Sequence, residues 1–249
     1  MPRLQDKYTL ITGGTSGIGL ETARQFLKEG AMVAITGRNQ ESLSAAGREL
    51  GDTVLLLQSD ASDMADQRTL AKQIAQHWPR LDALYINAGD VTHRPLQEWD
   101  EATYDRLMDT NLKGPFFLIQ SLLPLLANPS SVILCGSVSA HIGLPQSSVY
   151  AASKAGLLSL ARTLSGELVG RGIRVNGLSP GPTETAALGK LGLPPQEEDT
   201  LREQIKNLVP IGRMGTPWEL AKAAVFLACD ESSFIVGTEL QVDGGVGNL

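Results

Sequence analysis

The stretch Thr12-Gly13-Gly14-Thr15-Ser16-Gly17-Ile18-Gly19 follows a short apolar run, Tyr8-Thr9-Leu10-Ile11, and leads into a helix-forming segment, Leu20 to Glu29. Glycines at 13, 17 and 19 let the chain turn sharply out of a strand, let backbone amides approach an anion, and let the next helix pack close to its strand. The positive end of that helix then faces the anion. A loop for triphosphate hydrolysis would need Lys and Ser or Thr after its last glycine, but Gly19 is followed by Leu20-Glu21. A diphosphate cradle and an ordinary tight turn between strand and helix remain, and the surrounding pattern decides between them.

Strand-like runs recur at Met32-Val33-Ala34-Ile35, Thr53-Val54-Leu55-Leu56-Leu57, Leu81-Asp82-Ala83-Leu84-Tyr85-Ile86, Ser131-Val132-Ile133-Leu134, Ile173-Arg174-Val175-Asn176 and Glu239-Leu240-Gln241-Val242, which makes seven with the first. Several are continuously apolar, as parallel strands covered on both faces are, and their shortness and Gly/Pro flanks favour strands over buried helix turns. Between them Leu70, Ile74 and Trp78 recur at helical spacing, and Leu157, Leu160, Leu164 and Leu168 mark one stripe of a long helix. Gly30 and Gly51 fall where helices should end. The pattern predicts a single domain over residues 1–249, an α/β fold with a doubly wound, Rossmann-like parallel sheet of seven strands and helices on both faces. From Pro180 to Pro217 the density of Gly and Pro (Gly181, Pro182, Gly189, Gly192, Pro194, Pro195, Pro210, Gly212, Gly215) predicts a mobile, irregular excursion that lies over a ligand as a substrate lid.

Composition narrows the function. The 249 residues are 42% hydrophobic and 19% charged, enough apolar material for a folded core and too little charge for disorder. With 21 basic against 27 acidic residues the net charge is −6, so nucleic acid is not an expected partner. Cys135 and Cys229 each sit in an apolar run and read as buried, reduced thiols, and His77, His93 and His141 are scattered, so no metal site is expected. The N-terminal residues lack a hydrophobic signal region, and Gln120, Ser121 and Pro124 interrupt the most apolar stretch, Pro115 to Ala127. A cytoplasmic protein with no membrane partner is expected.

About twenty residues past the glycine loop, the second strand ends in Thr36-Gly37-Arg38-Asn39. An Asp or Glu there would bind the free ribose hydroxyls of NAD; Gly37 stands in that place and Arg38 follows, with a fork suited to a 2′-phosphate and a plane suited to stacking on adenine. NADP(H) is therefore the preferred cofactor, with NAD(H) possible. Farther on, Tyr150 and Lys154 are four residues apart in a helix-forming run and so share one face. A free phenol, with a pKa of about 10, is a poor base at neutral pH, and a neighbouring ammonium favours its ionised form. Such a pair also arises by chance, and gains meaning from its company. Ser137 follows the strand ending at Leu134, where ligands of open α/β sheets bind, with Ser139 as its local competitor.

Together these residues resemble the short-chain dehydrogenases/reductases, over essentially the whole chain. The ordered motifs are Thr12 to Gly19, Asp60-Ala61, Asn87-Ala88-Gly89, Asn111 within Asn111-Leu112-Lys113-Gly114, Ser137, Tyr150 with Lys154, and Pro180-Gly181. The resemblance implies Tyr150 as general acid or base, Ser137 holding the reacting oxygen, Lys154 binding the nicotinamide ribose and assisting Tyr150, and Asn111 fixing a water of the proton relay. It also implies a cofactor held by Gly13, Thr15, Ser16, Gly17, Ile18, Gly19, Arg38, Asn39, Asp60, Ala61, Asn87, Ala88, Gly89, Pro180, Gly181, Thr183 and Thr185. Ile86 departs from the family, which often has asparagine before Asn87, and leaves some strand-end hydrogen bonding open.

The implied activity is NADPH-dependent reduction of a ketone or aldehyde, or the reverse alcohol oxidation. A 3-oxoacyl thioester reductase is the alternative and would need a basic landing surface for an acidic carrier; Lys190, Arg202, Lys206 and Arg213 are candidates, diluted by Glu197, Glu198, Asp199 and Glu203. A nonenzymatic NADP sensor is a third possibility, disfavoured by the intact catalytic set. His141, four residues past Ser137, is expected to border the substrate pocket or to lie on an exposed loop. Surplus apolar residues around Leu112 to Ala127 and Val149 to Val169, with the resemblance, imply a homotetramer or homodimer.

Overall fold

Seven strands form one parallel sheet in a computed structural model, which describes residues 2–185 and 194–249. They are β1 (Tyr8–Ile11), β2 (Met32–Gly37), β3 (Leu55–Gln58), β4 (Leu81–Ile86), β5 (Leu126–Cys135), β6 (Ile173–Pro180) and β7 (Glu239–Val242). Their spatial order is β3-β2-β1-β4-β5-β6-β7.

Successive side chains of a strand point to opposite faces, which divides each apolar run between two cores. On one face Leu10, Leu84, Val132, Leu134 and Val175 meet Leu70 and Ile74 of α3 (Met64–His77) with Trp78 just beyond it, Leu118 and Leu122 of α5 (Gly114–Leu122), and Leu157, Leu164 and Leu168 of α6 (Ser148–Leu168). On the other, Ile11, Ile35, Tyr85, Ile133 and Leu178 meet Phe26 of α1 (Gly17–Lys28), Leu43 of α2 (Gln40–Leu50), and Leu220 and Leu227 of α8 (Pro217–Ala228). The doubly wound architecture follows from strands that are apolar on both sides. Gly30 and Gly51 follow α1 and α2 with φ of 84° and 97°, as expected of chain that must leave a helix sharply.

Some boundaries differ from the expectation. β3 begins at Leu55, because the residues before it close a turn in which Val54 N donates to Gly51 O. β6 continues through Pro180, which carries the Pro180-Gly181 segment to the end of the sheet. The apolar segment Leu112 to Ala127 is not one helix. A π-helical turn, Asp109–Lys113, follows α4 (Glu101–Met108) and precedes α5, and β5 has begun by Leu126. The expectation of irregular chain from Pro180 to Pro217 is corrected over α7 (Pro195–Asn207). There Pro at the first position, Glu197 and Glu198 in the first turn, Lys206 in the last and a Glu198–Arg202 pair supply the helix signals that the flanking glycines and prolines obscured. Gly189, Lys190 and Gly192 lie outside the described residues. Among the described residues no helix is long and apolar enough to cross a membrane.

Candidate active site

Strand order reverses between β1 and β4, and a cleft opens beyond the carboxyl ends of the strands there, the place where open α/β sheets take ligands. The two strand ends are tied together. Thr12 N donates to Tyr85 O at 3.0 Å, and Thr12 Oγ1 accepts from Asn87 N and Ala88 N, each at 3.0 Å. Asn87 Nδ2 in turn donates to the carbonyls of Thr12 and Gly13, both at 3.1 Å. Asn87-Ala88 therefore braces the glycine loop. Ile86 packs in the core in register with Leu134, and Asn87 makes the strand-end bonds that its replacement had left open.

The loop is shaped for close approach. Gly13 has φ of 65°, and a Cβ there would lie 2.9 Å from Ala88 Cα. Asn39, Asp63, Asp100 and Thr216 cap α2, α3, α4 and α8 with their side chains, whereas Ser16 at the start of α1 makes no side-chain cap. The leading amides of α1 are thus left for a ligand anion, which fits the diphosphate of a dinucleotide.

A cavity of about 740 Å³ runs from this loop along the sheet edge, lined by Gly13, Thr15, Ser16, Gly37, Arg38, Asn39, Asp60, Ala61, Asn87, Ala88 and Gly89 among others. Arg38 forms no ion pair among the described residues. Asn39 lines the wall, but its Oδ1 accepts from Ser42 N at 2.9 Å and caps α2. The Asp60 carboxylate accepts from Ser62 N and Oγ at 2.9 and 2.8 Å.

A second cavity of about 290 Å³ continues from the first, with Ser16, Asn87, Gly89 and Val91 common to both. Its walls hold Gly17, Ile18, Ser137, Tyr150, Lys154, Pro180, Gly181, Thr183 and Thr185. α6 brings Tyr150 and Lys154 together, with Lys154 Nζ 5.7 Å from the centroid of the Tyr150 ring. Lys154 is 4% exposed, and among the described residues its ammonium has a carbonyl and no carboxylate as partner, donating to Cys135 O at 2.7 Å. An ammonium has three donors, so two remain for a ligand. Ser137 is buried at the end of β5, and its Oγ accepts from Ser139 N at 3.1 Å, which closes the turn Val138–Ala140. Ser137 lines the cavity and Ser139 does not.

Asn111 stands in the π-helical turn, behind the wall of the cavity. Its Oδ1 accepts from Asp90 N at 2.7 Å, and its Nδ2 donates to Asp90 O at 2.8 Å and Ser153 Oγ at 3.1 Å. A Cβ on Gly89 would lie 3.4 Å from Asn111 Oδ1 and 3.5 Å from Lys154 Nζ, so the glycine lets both approach the Asn87-Ala88-Gly89 turn. Thr183 Oγ1 donates to Gly181 O at 2.9 Å, and Thr183 pairs with Gly215 as an isolated bridge next to the start of α8.

The family model described as enoyl-(acyl carrier protein) reductase matches residues 13–247. An oxidoreductase of Sarocladium schorii is 40% identical over 99% of this chain and 98% of its own length, and a 3-oxoacyl-[acyl-carrier-protein] reductase of Thermotoga maritima is 35% identical over 98% and 99%. The crystal structure of a short-chain dehydrogenase/reductase of the glucose/ribitol dehydrogenase type from Brucella melitensis superposes with a TM-score of 0.91 at 30% identity, covering 99% of each chain. The chain is a short-chain dehydrogenase/reductase.

It is thus an oxidoreductase of a family that uses nicotinamide cofactors. Within this short-chain dehydrogenase/reductase His141 takes the second of its two expected places, an exposed turn. His141 does not line the cavity; its Nε2 meets both carboxylate oxygens of Glu239, at 2.8 and 2.9 Å. His93, read as one of three scattered histidines, has its ring 5.2 Å from that of Tyr150. Val91 was missed as well. Val91, two residues past Gly89, lines both cavities, whereas His93, four residues past it, stands beside Tyr150 without lining either. Among the described residues no three His, Cys, Asp or Glu side chains gather as metal ligands. Cys135 and Cys229 are free and buried.

Proposed function

We propose that this enzyme transfers hydride between NADPH and a ketone or aldehyde, or in reverse from a secondary alcohol, in a single catalytic domain. The observation that carries the reading is the juxtaposition of Tyr150 and the buried, carboxylate-free ammonium of Lys154 in a cavity continuous with the glycine loop.

When bound, the dinucleotide supplies the hydride. Tyr150 delivers its phenolic proton to the oxygen of the substrate, and Ser137 holds that oxygen by a hydrogen bond. Lys154, beside the Tyr150 ring, binds the nicotinamide ribose with its remaining donors, and Asn111 fixes a relay water. Arg38 pairs with the 2′-phosphate, Asp60 and Ala61 meet the adenine, and the Pro180 to Thr185 segment holds the nicotinamide amide, with the described residues 194–217 serving as a substrate lid. The two buried thiols suit a reducing compartment, the cytoplasm.

A 3-oxoacyl thioester would use the same catalytic groups, and the Thermotoga maritima relative carries that name. Arg202, Lys206 and Arg213, however, are paired with Glu198, Glu203 and Glu219, so these three candidates offer little uncompensated charge to an acidic carrier. The smaller carbonyl substrate therefore ranks first. The test is a panel of ketones, aldehydes and alcohols, with cofactor absorbance followed at a fixed NADPH or NADP concentration. Turnover of carbonyls with NADPH is the expected result. Tight NADP binding with no turnover anywhere in the panel would point to a sensor and overturn the reading.

A further inference from the structure

Tyr150 has an aromatic neighbour that the motifs do not account for. The His93 imidazole stands 5.2 Å from the Tyr150 ring, centroid to centroid, with the planes tilted by 57°. His93 is solvent-accessible, and neither ring nitrogen hydrogen-bonds to a described residue. Partial burial nevertheless lowers its pKa, which favours the neutral ring.

The chain on either side of His93 is held in place. Asp90 is bonded in both directions to Asn111, at 2.7 and 2.8 Å, and its carboxylate accepts from Thr92 N at 2.8 Å and Thr92 Oγ1 at 2.5 Å. Arg106 adds bonds to Asp90 Oδ2 at 2.9 Å and Thr92 Oγ1 at 3.3 Å. On the other side Arg94 N donates to Gln146 O at 2.9 Å, and Trp99 Nε1 donates to Arg94 O at 3.1 Å. A loop fixed at both flanks presents an imidazole whose own nitrogens are uncommitted, beside the phenol that meets the substrate. That is a preorganised recognition group rather than a packing residue.

We infer that His93 determines specificity by hydrogen-bonding a second oxygen of the substrate, a hydroxyl or carbonyl one or two carbons from the reacting carbonyl. This rests on the carbonyl-reductase reading and names its substrate class: oxygenated carbonyl compounds such as hydroxyketones and dicarbonyls. A neutral imidazole has one donor and one acceptor, so either kind of oxygen satisfies it. A plain hydrocarbon chain would strip water from the nitrogens and leave them unpaired.

The experiment measures kcat/KM with NADPH for 2-pentanone, 1-hydroxy-2-pentanone and 2,4-pentanedione. Wild type is compared with His93→Phe, which keeps a ring against Tyr150, and with His93→Gln, which keeps a polar end. Ratios are taken within each protein, so the amount of active enzyme cancels. A preference of about tenfold for an oxygenated substrate, lost mainly through KM in His93→Phe and largely restored in His93→Gln, is expected from one hydrogen bond. The same preference in wild type and His93→Phe, no preference in wild type, or an equal fall on all three substrates would overturn the inference while leaving the carbonyl-reductase reading standing. No turnover of any of the three by wild type would overturn both.

Discussion

Arg38 stands at the end of β2 with its guanidinium free of any described carboxylate, on the wall of the larger cavity. A guanidinium–phosphate pair is among the stronger hydrogen-bonded contacts, roughly 1.5–3 kcal/mol. Arg38→Ala should therefore raise KM for NADPH by about ten- to a hundredfold and change KM for NADH little. Steady-state kinetics with the two cofactors check this, and equal effects on both would remove the phosphate contact. At this scale the sequence was informative where chemistry imposes spacing. Tyr150 and Lys154 share a helix face because they are one turn apart, and Ser137 is marked by the strand that ends before it. Ser137, rather than its neighbour Ser139, lines the cavity although both are buried, because the backbone turns after β5. His93 was illegible for a related reason. Its contact with Tyr150 joins the chain after β4 to α6, and no local spacing encodes that meeting.

Among the elements, the strands were legible because burial on both faces demands continuous apolar runs, and their ends were less so because turns and caps set them. The π-helical turn left no mark in the periodicity. Gly114, which follows it, lies so close to Ala61 that a Cβ would fall 2.0 Å from Ala61 O, and only tertiary packing reveals that approach. α7 was obscured by the prolines and glycines around it. The surplus apolar character expected over Leu112 to Ala127, in contrast, is borne by Phe116 and Phe117, each 37% exposed, and Tyr104 on the preceding α4 is 46% exposed. Val169, which follows α6, is 51% exposed. Large apolar side chains left in water on neighbouring helices favour association. We propose a homotetramer, for which light scattering at micromolar concentration should return four times the 26.5 kDa chain mass. The mass of a monomer would contradict the proposal.

For the molecule as a whole, the reversal of strand order at β1 and β4 gathers the chemistry. It sets the glycine loop, the Asn87-Ala88-Gly89 turn and the end of β5 along one edge of the sheet, and α6 delivers Tyr150 and Lys154 to the same edge. Residue order showed the parts, and strand order shows why they meet. The net charge of −6 says nothing of that cleft, whose walls carry the positive charges of Arg38 and Lys154. Since Tyr150 is assigned the proton that completes reduction, the most direct measurement compares NADPH consumption by wild type and Tyr150→Phe on the best carbonyl substrate of the panel, with NADPH binding measured in parallel. The expected result is a loss of turnover of about a hundredfold or more with cofactor binding retained; turnover near that of wild type in the phenylalanine variant would contradict the assignment.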